Sequence, residues 1–162
     1  MKIKDRTVHI YTDGSCNPQY NVGGWAAVIL FNDQEFLIKG EILGTTHNVM
    51  EIWAAIEALK YVVKNLHNWE KINIYSDSQY VVGIPDRKEK LKGDDFKTKK
   101  GHAVRNADIL ETLIKYIEFY QIDFIKVKAH DKNDTGNNYN RKVDKLSRKI
   151  VRQCVKKSFP EN

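Results

Sequence analysis

The chain has 162 residues, 41% of them apolar and 30% charged, which suits one soluble globular unit with a real core. Its formal charge of +6, from 27 Lys+Arg against 21 Asp+Glu, leans towards a polyanionic partner. Cys16 and Cys154 offer neither zinc spacing nor a disulfide framework, the N-terminus lacks an apolar signal core, and no run nears ~18 apolar residues, so a cytoplasmic protein without a membrane anchor is expected, with a monomer as the default.

Residues 7–13 read as a first strand, and Asp13-Gly14-Ser15 with Asn17-Pro18 make a turn-rich loop. Gly23-Gly24 introduces a second strand, Trp25 to Phe31. Asn32-Asp33-Gln34 turns into a third, Phe36 to Leu43. A helix follows, capped by Thr46 or Asn48, with Val49, Ile52, Trp53, Ile56, Leu59 and Val63 at helical spacing. Glu51 falls on the other side of its first turn, among Ala54, Ala55 and Ala58. Small residues there predict close packing against another element, an odd place for a plain surface charge.

A fourth strand starts at Ile72. Asp77-Ser78 caps a short helix that Pro85 ends or interrupts. Residues 86–101 are polar and basic, an excursion from the core; residues 87–105 carry eight Lys/Arg against Glu89, Asp94 and Asp95. Val104 to Tyr120 reads as a helix, Ile122 to Val127 as the last strand, and Asp131 to Asn140 as a polar loop. A final helix from about Arg141 to Val155 has Val143, Leu146, Ile150 and Cys154 as its stripe. Residues 141–157 carry eight Lys/Arg against Asp144 alone. The order predicts one α/β domain over residues 1–162: a five-stranded mixed sheet, an antiparallel meander followed by parallel strands, with helices on its faces.

Two strands end alike, Ile10-Tyr11-Thr12-Asp13 and Ile74-Tyr75-Ser76-Asp77. Side by side and parallel, they bring two carboxylates to one end of the sheet, where they resist joint ionisation unless a divalent cation sits between them. Glu51 and Asp144 can converge on the same edge. Hard oxygen ligands favour Mg²⁺ or Mn²⁺ over zinc, and two such ions can activate water and stabilise a leaving oxygen. Taken singly, each acid also fits a plain role as a cap, helix-dipole partner or ion-pair partner.

The motifs together resemble type 1 ribonuclease H. They are Tyr11-Thr12-Asp13-Gly14-Ser15 with Asn17-Pro18, Thr45-Thr46-His47-Asn48-Val49-Met50-Glu51, Ser76-Asp77-Ser78-Gln79-Tyr80-Val81, Val127-Lys128-Ala129-His130, and Asn140-Arg141-Lys142-Val143-Asp144-Lys145-Leu146. They run in the family's order across essentially the whole chain. The resemblance implies a ribonuclease H-like fold and an endonuclease that cuts the RNA strand of RNA–DNA hybrids, leaving 5′-phosphate and 3′-hydroxyl ends. It implies two Mg²⁺ ions per site, with Mn²⁺ as a substitute, and no organic cofactor. Asp13, Glu51, Asp77 and Asp144 match the metal ligands: one ion between Asp13 and Asp144, the other on Asp13, Glu51 and Asp77. His130 matches a mobile histidine that assists proton transfer or product release.

The same resemblance assigns substrate contacts. Asn48 and Gln79 match minor-groove residues, with backbone near Cys16 and Asn17 beside them. Thr46 and Asn106 match a pocket for a DNA phosphate, which fixes register without reading sequence. The excursion from Arg87 to Lys100 matches a basic handle. Phe96 stands there where tryptophan is expected, and Lys90, Lys92, Lys97, Lys99 and Lys100 act through phosphate charge. His47 replaces a polar amide of the minor-groove set, and the stretch between His130 and Asp144 is longer than in compact members, with Asn133, Asp134 and Asn137 added. Three alternatives stay open: a hybrid-binding module without turnover, a nuclease or integrase acting on DNA, and a domain released from a reverse transcriptase.

Overall fold

The computed structural model describes residues 5–128 and 138–160. Five strands form one sheet: β1 (Thr7–Asn17), β2 (Val22–Phe31), β3 (Gln34–Leu43), β4 (Lys71–Ser76) and β5 (Ile122–Lys126). Five helices accompany them: α1 (His47–Asn65), α2 (Gln79–Val82), α3 (Ile84–Gly93), α4 (Ala107–Phe119) and α5 (Asn138–Ser158). The strand order is β3-β2-β1-β4-β5. The first three strands pair antiparallel, and β1, β4 and β5 pair parallel. This is the mixed sheet that the strand and helix order predicts.

β2 shows why the sheet needs helices on both faces: nearly every residue of it is buried. Ala27, Ile29 and Phe31 join Val8, Ile10, Ile52, Ile56, Leu59, Ile72 and Ile74 in the main core, so α1 covers that face. Ala26, Val28 and Leu30 point the other way and pack with Val143 and Leu146, so α5 covers the opposite face. Strand alternation thus sorts one run of small and branched residues into two layers. The alanine face of α1 is buried as expected, whereas Val63, read as part of its apolar stripe, is exposed.

Thr46 caps α1, its Oγ1 accepting from the Val49 N–H at 3.4 Å, and Ser78 caps α2 by accepting from Val81 N–H. Several boundaries differ from the sequence reading. Asp13-Gly14-Ser15 through Asn17, read as a turn-rich loop, continues β1 and pairs with β2, which starts at Val22 and not Trp25, because Gly14, Gly23 and Gly24 leave room for the paired strands to lie against α1 and α5. Pro85 opens α3 instead of ending a helix, because proline's fixed φ and missing N–H suit a first turn. The fourth helix starts at Ala107, after Asn106 in a left-handed conformation (φ 65°). The last helix already runs at Asn138, which places Asp144 in its second turn.

Candidate active site

The doubled strand motif aligns in register. Ile10 pairs with Ile74 and Tyr11 with Tyr75, and the two tyrosine rings stack at 4.5 Å. Two residues later come Asp13, within β1, and Asp77, just past the end of β4. Glu51 reaches them from α1, and one carboxylate oxygen from each of the three lies within 4.8 Å of the others. The sheet and the helix meet this closely because residue 14 is glycine. A Cβ there would lie 2.6 Å from the Glu51 nitrogen and the Met50 carbonyl carbon. The Gly14 backbone beside the Glu51 carboxylate works against the rise that burial imposes on it.

The acids are costly to hold. Asp13 is 4% and Glu51 1% exposed. Burial, then the Asp77 charge, push the Asp13 carboxyl up to about 7, and Asp144 adds to the rise. Burial first, with Asp13 and Asp77 beside it, lifts Glu51 well above the usual carboxylate range. Its Oε2 is buried without a hydrogen-bond partner among the described residues. A buried carboxylate oxygen left bare among other carboxylates is the donor set that a hard divalent cation satisfies, so Asp13, Glu51 and Asp77 fit such an ion.

Asp144 lines the same cleft, about 250 Å³, with Gly14, Ser15, His47, Ser78 and Arg148. It stands outside the close group of three and pairs with Arg148 at 3.1 Å, one of the plain roles open to it. Two further residues belong here: Ser147, passed over in the sequence reading, and His47, read there only as a departure from the minor-groove set. Ser147, fully buried, donates from Oγ to Asp13 Oδ2 at 3.0 Å, with the Asp144 carbonyl as a second acceptor at 3.1 Å. A hydroxyl has one proton, and the charged acceptor is the stronger, so the bond favours the ionised form of Asp13 against the push of burial. His47 Nε2 lies 3.4 Å from Glu51 Oε1, one helical turn away. The signals were spacings, i,i+3 from Asp144 and i,i+4 to Glu51, which become readable once helix phase is known.

The expected substrate contacts lie on several separate elements. Asn48 and Gln79 are exposed in the first turns of α1 and α2. Asn17 closes β1, its Oδ1 accepting from Gln19 N–H at 2.9 Å. Asn106 makes no side-chain cap at α4, which leaves its amide available. Lys99 and Lys100 occupy the centre of a turn closed by Gly101 N–H to the Thr98 carbonyl at 2.9 Å, above a bridge between Lys97 and Ala103. Lys97 lies 3.8 Å from Asp95, and Phe96 is half-buried against the main core at the foot of this tip. His130, with Asn133, Asp134 and Asn137, lies outside the described residues.

A family model described as RNase H matches residues 5–152. The chain belongs to the ribonuclease H family. Its relatives include a ribonuclease H of Wolbachia sp. subsp. Drosophila simulans (strain wRi), 40% identical over 150 residues, spanning 92% of this chain and 98% of that protein. A ribonuclease H of Caldanaerobacter subterraneus subsp. tengcongensis is 34% identical over 160 residues, 98% of this chain and 99% of its own. Among solved structures, LC9-RNase H1, a type 1 RNase H with the type 2 active-site motif, matches with TM-score 0.77 at 19% identity, over 94% of this chain and 75% of that one. The foamy viral protease-reverse transcriptase in complex with RNA/DNA hybrid matches with TM-score 0.73 at 16% identity, over 90% of this chain and 20% of its own. These two likenesses show the ribonuclease H fold. Family membership makes the chain a nuclease, a hydrolase of phosphodiester bonds. Among the described residues no helix is long and apolar enough to cross a membrane.

Proposed function

We propose that this nuclease is an endoribonuclease that cuts the RNA strand of RNA–DNA hybrids, leaving 5′-phosphate and 3′-hydroxyl ends. The observation that carries the reading is the convergence of Asp13, Glu51 and Asp77 within 4.8 Å, with one Glu51 oxygen buried and bare. Asp13, Glu51 and Asp77 would hold one divalent ion, and Asp13 with Asp144 a second, Mg²⁺ or Mn²⁺ in its place. When bound, such ions lower the pKa of an attacking water and stabilise the departing 3′ oxygen.

The chain's own groups do the rest. Ser147 orients the Asp13 carboxylate and favours its charged form against burial. Gly14, with no side chain, lets Glu51 approach the end of the sheet. Arg148 beside Asp144 balances the acid nearest solvent. His130 assists proton transfer or product release. Asn48, Gln79 and Asn17 read groove shape and the 2′-hydroxyl, the group that separates RNA from DNA. Thr46 and Asn106 seat a DNA phosphate. Lys97, Lys99 and Lys100, on a tip anchored by Phe96, grip the DNA strand through phosphate charge. The enzyme acts as a cytoplasmic monomer and as one domain.

The deciding experiment labels the RNA strand of a uniform hybrid and follows its cutting with and without Mg²⁺, beside duplex DNA and duplex RNA. Internal, metal-dependent cuts in the hybrid's RNA alone are the expected result. Equal cutting of duplex DNA, or binding without any cutting, would reject the reading.

A further inference from the structure

Apart from Arg141, at its start, the lysines and arginines of α5 divide into two groups. Those on its flanks are neutralised by neighbours: Lys142 by Glu35 of β3, Lys157 by Glu41 at 3.0 Å, and Arg148 by Asp144. Lys145, Lys149, Arg152 and Lys156 are different. All four are exposed, and none has a partner among the described residues. At about 100° per residue they fall within an arc of roughly 60°, opposite the buried row of Val143, Ser147, Ile150 and Cys154. The result is a straight, uncompensated cationic stripe about 16 Å long, or about five base-pair steps.

Its position along the fold matters as much as its charge. α5 passes the acid cluster at Asp144 and Ser147 and continues to Ser158. There Phe159 stacks on Tyr20, in the hairpin turn beyond Asn17, with ring centroids 4.6 Å apart. The stripe therefore starts beside the cleft and leads away from it. It lies on the sheet face opposite the one α1 covers.

We propose that the α5 stripe is a second nucleic-acid surface, which binds the sugar–phosphate backbone of duplex flanking the segment in the active site. This rests on the hybrid-nuclease reading for the substrate's identity. Four unpaired cations in line complement a polyanion of regular spacing, and they bind it by releasing counterions, without base readout. The contact is reached only by a substrate longer than the cleft itself.

The test replaces Lys145→Gln, Lys149→Gln, Arg152→Gln and Lys156→Gln together. Glutamine keeps helix propensity, and an unchanged melting temperature and circular dichroism establish folding. Binding is read by fluorescence anisotropy in EDTA, where nothing is cut, on labelled hybrids of about 8 and about 30 base pairs across a salt series. On the long hybrid the variant should bind at least about tenfold more weakly at low salt, with a log–log salt slope shallower by roughly 3 to 4. On the short hybrid the two proteins should bind alike, and kcat at saturating long hybrid should not move. Equal slopes on the long hybrid would overturn the proposal. So would an equal loss on both lengths, which indicates a diffuse field. A parent that prefers anionic lipid vesicles to the long hybrid, with that preference lost in the variant, would also overturn it. A parent that binds hybrid but never cuts it would refute the proposed function and leave the anisotropy comparison intact.

Discussion

At the scale of single residues, the site is a problem of charge held in the wrong medium. Asp77 is the acid whose position follows from the register of β1 and β4, so replacing it tests the cluster most directly. Asp77→Asn keeps shape and removes charge. Turnover with Mg²⁺ should fall by about 10³-fold or more, while hybrid affinity holds or rises because a repulsive charge near phosphate has gone. Near-normal turnover would dissolve the four-acid reading. Ser147 makes a finer point. Ser147→Ala removes the bond that favours ionised Asp13, so a proton competes better with a cation there. Divalent-ion affinity measured by calorimetry should weaken by about 3- to 10-fold at pH 7, as a hydrogen bond of about 1 kcal/mol to a charged acceptor implies. The deficit should narrow at pH 9, where the competing proton is scarce. A deficit equal at both pH values would mean that Ser147 acts only through packing.

At the scale of elements, the close approach of α1 to β1 is what brings Glu51 to Asp13 and Asp77. Gly14→Ala places a Cβ against backbone atoms of Met50 and Glu51, which cannot rotate away. The helix must shift, so stability should fall by about 1–3 kcal/mol or more in urea unfolding, with activity lost out of proportion to stability. A stable, active Gly14→Ala enzyme would show that this contact yields easily. Much of the architecture was legible because periodicity and caps agree: Thr46 and Ser78 cap where expected, and the I-Y-[TS]-D echo foretold the β1–β4 register. α3 was not legible, since Asp86 to Lys92 carries six charges in seven residues and no apolar stripe, and Pro85 reads equally as a stop or a start. Glu51's burial was foreshadowed by its alanine neighbours. The reach of Ser147 to Asp13 was not, because it depends on where α5 begins and on Gly24, whose absent side chain lets the Ser147 carbonyl lie 2.7 Å from where a Cβ would be.

At the scale of the whole molecule, a buried acid cluster sits in a protein of net charge +6, and that arrangement has a consequence for stability. Asp13 titrates near 7 in the fold and Glu51 is also raised, whereas both release their protons near pH 4 in the unfolded chain. Between those values the native state holds protons that the unfolded state has lost. Stability of the metal-free protein must then fall as pH rises from about 4 through about 7, opposite to the usual behaviour of ion-paired carboxylates. Thermal unfolding in EDTA should give a melting temperature several degrees lower at pH 8 than at pH 5. Mg²⁺ should raise it more at pH 8, because a cation that binds only the native state stabilises it most where protons no longer compete. Asp13→Asn should flatten the EDTA profile, since an amide carries no charge to be penalised. A parent profile that is already flat, with no response to Mg²⁺ at pH 8, would mean that these oxygens do not share one electrostatic environment in solution.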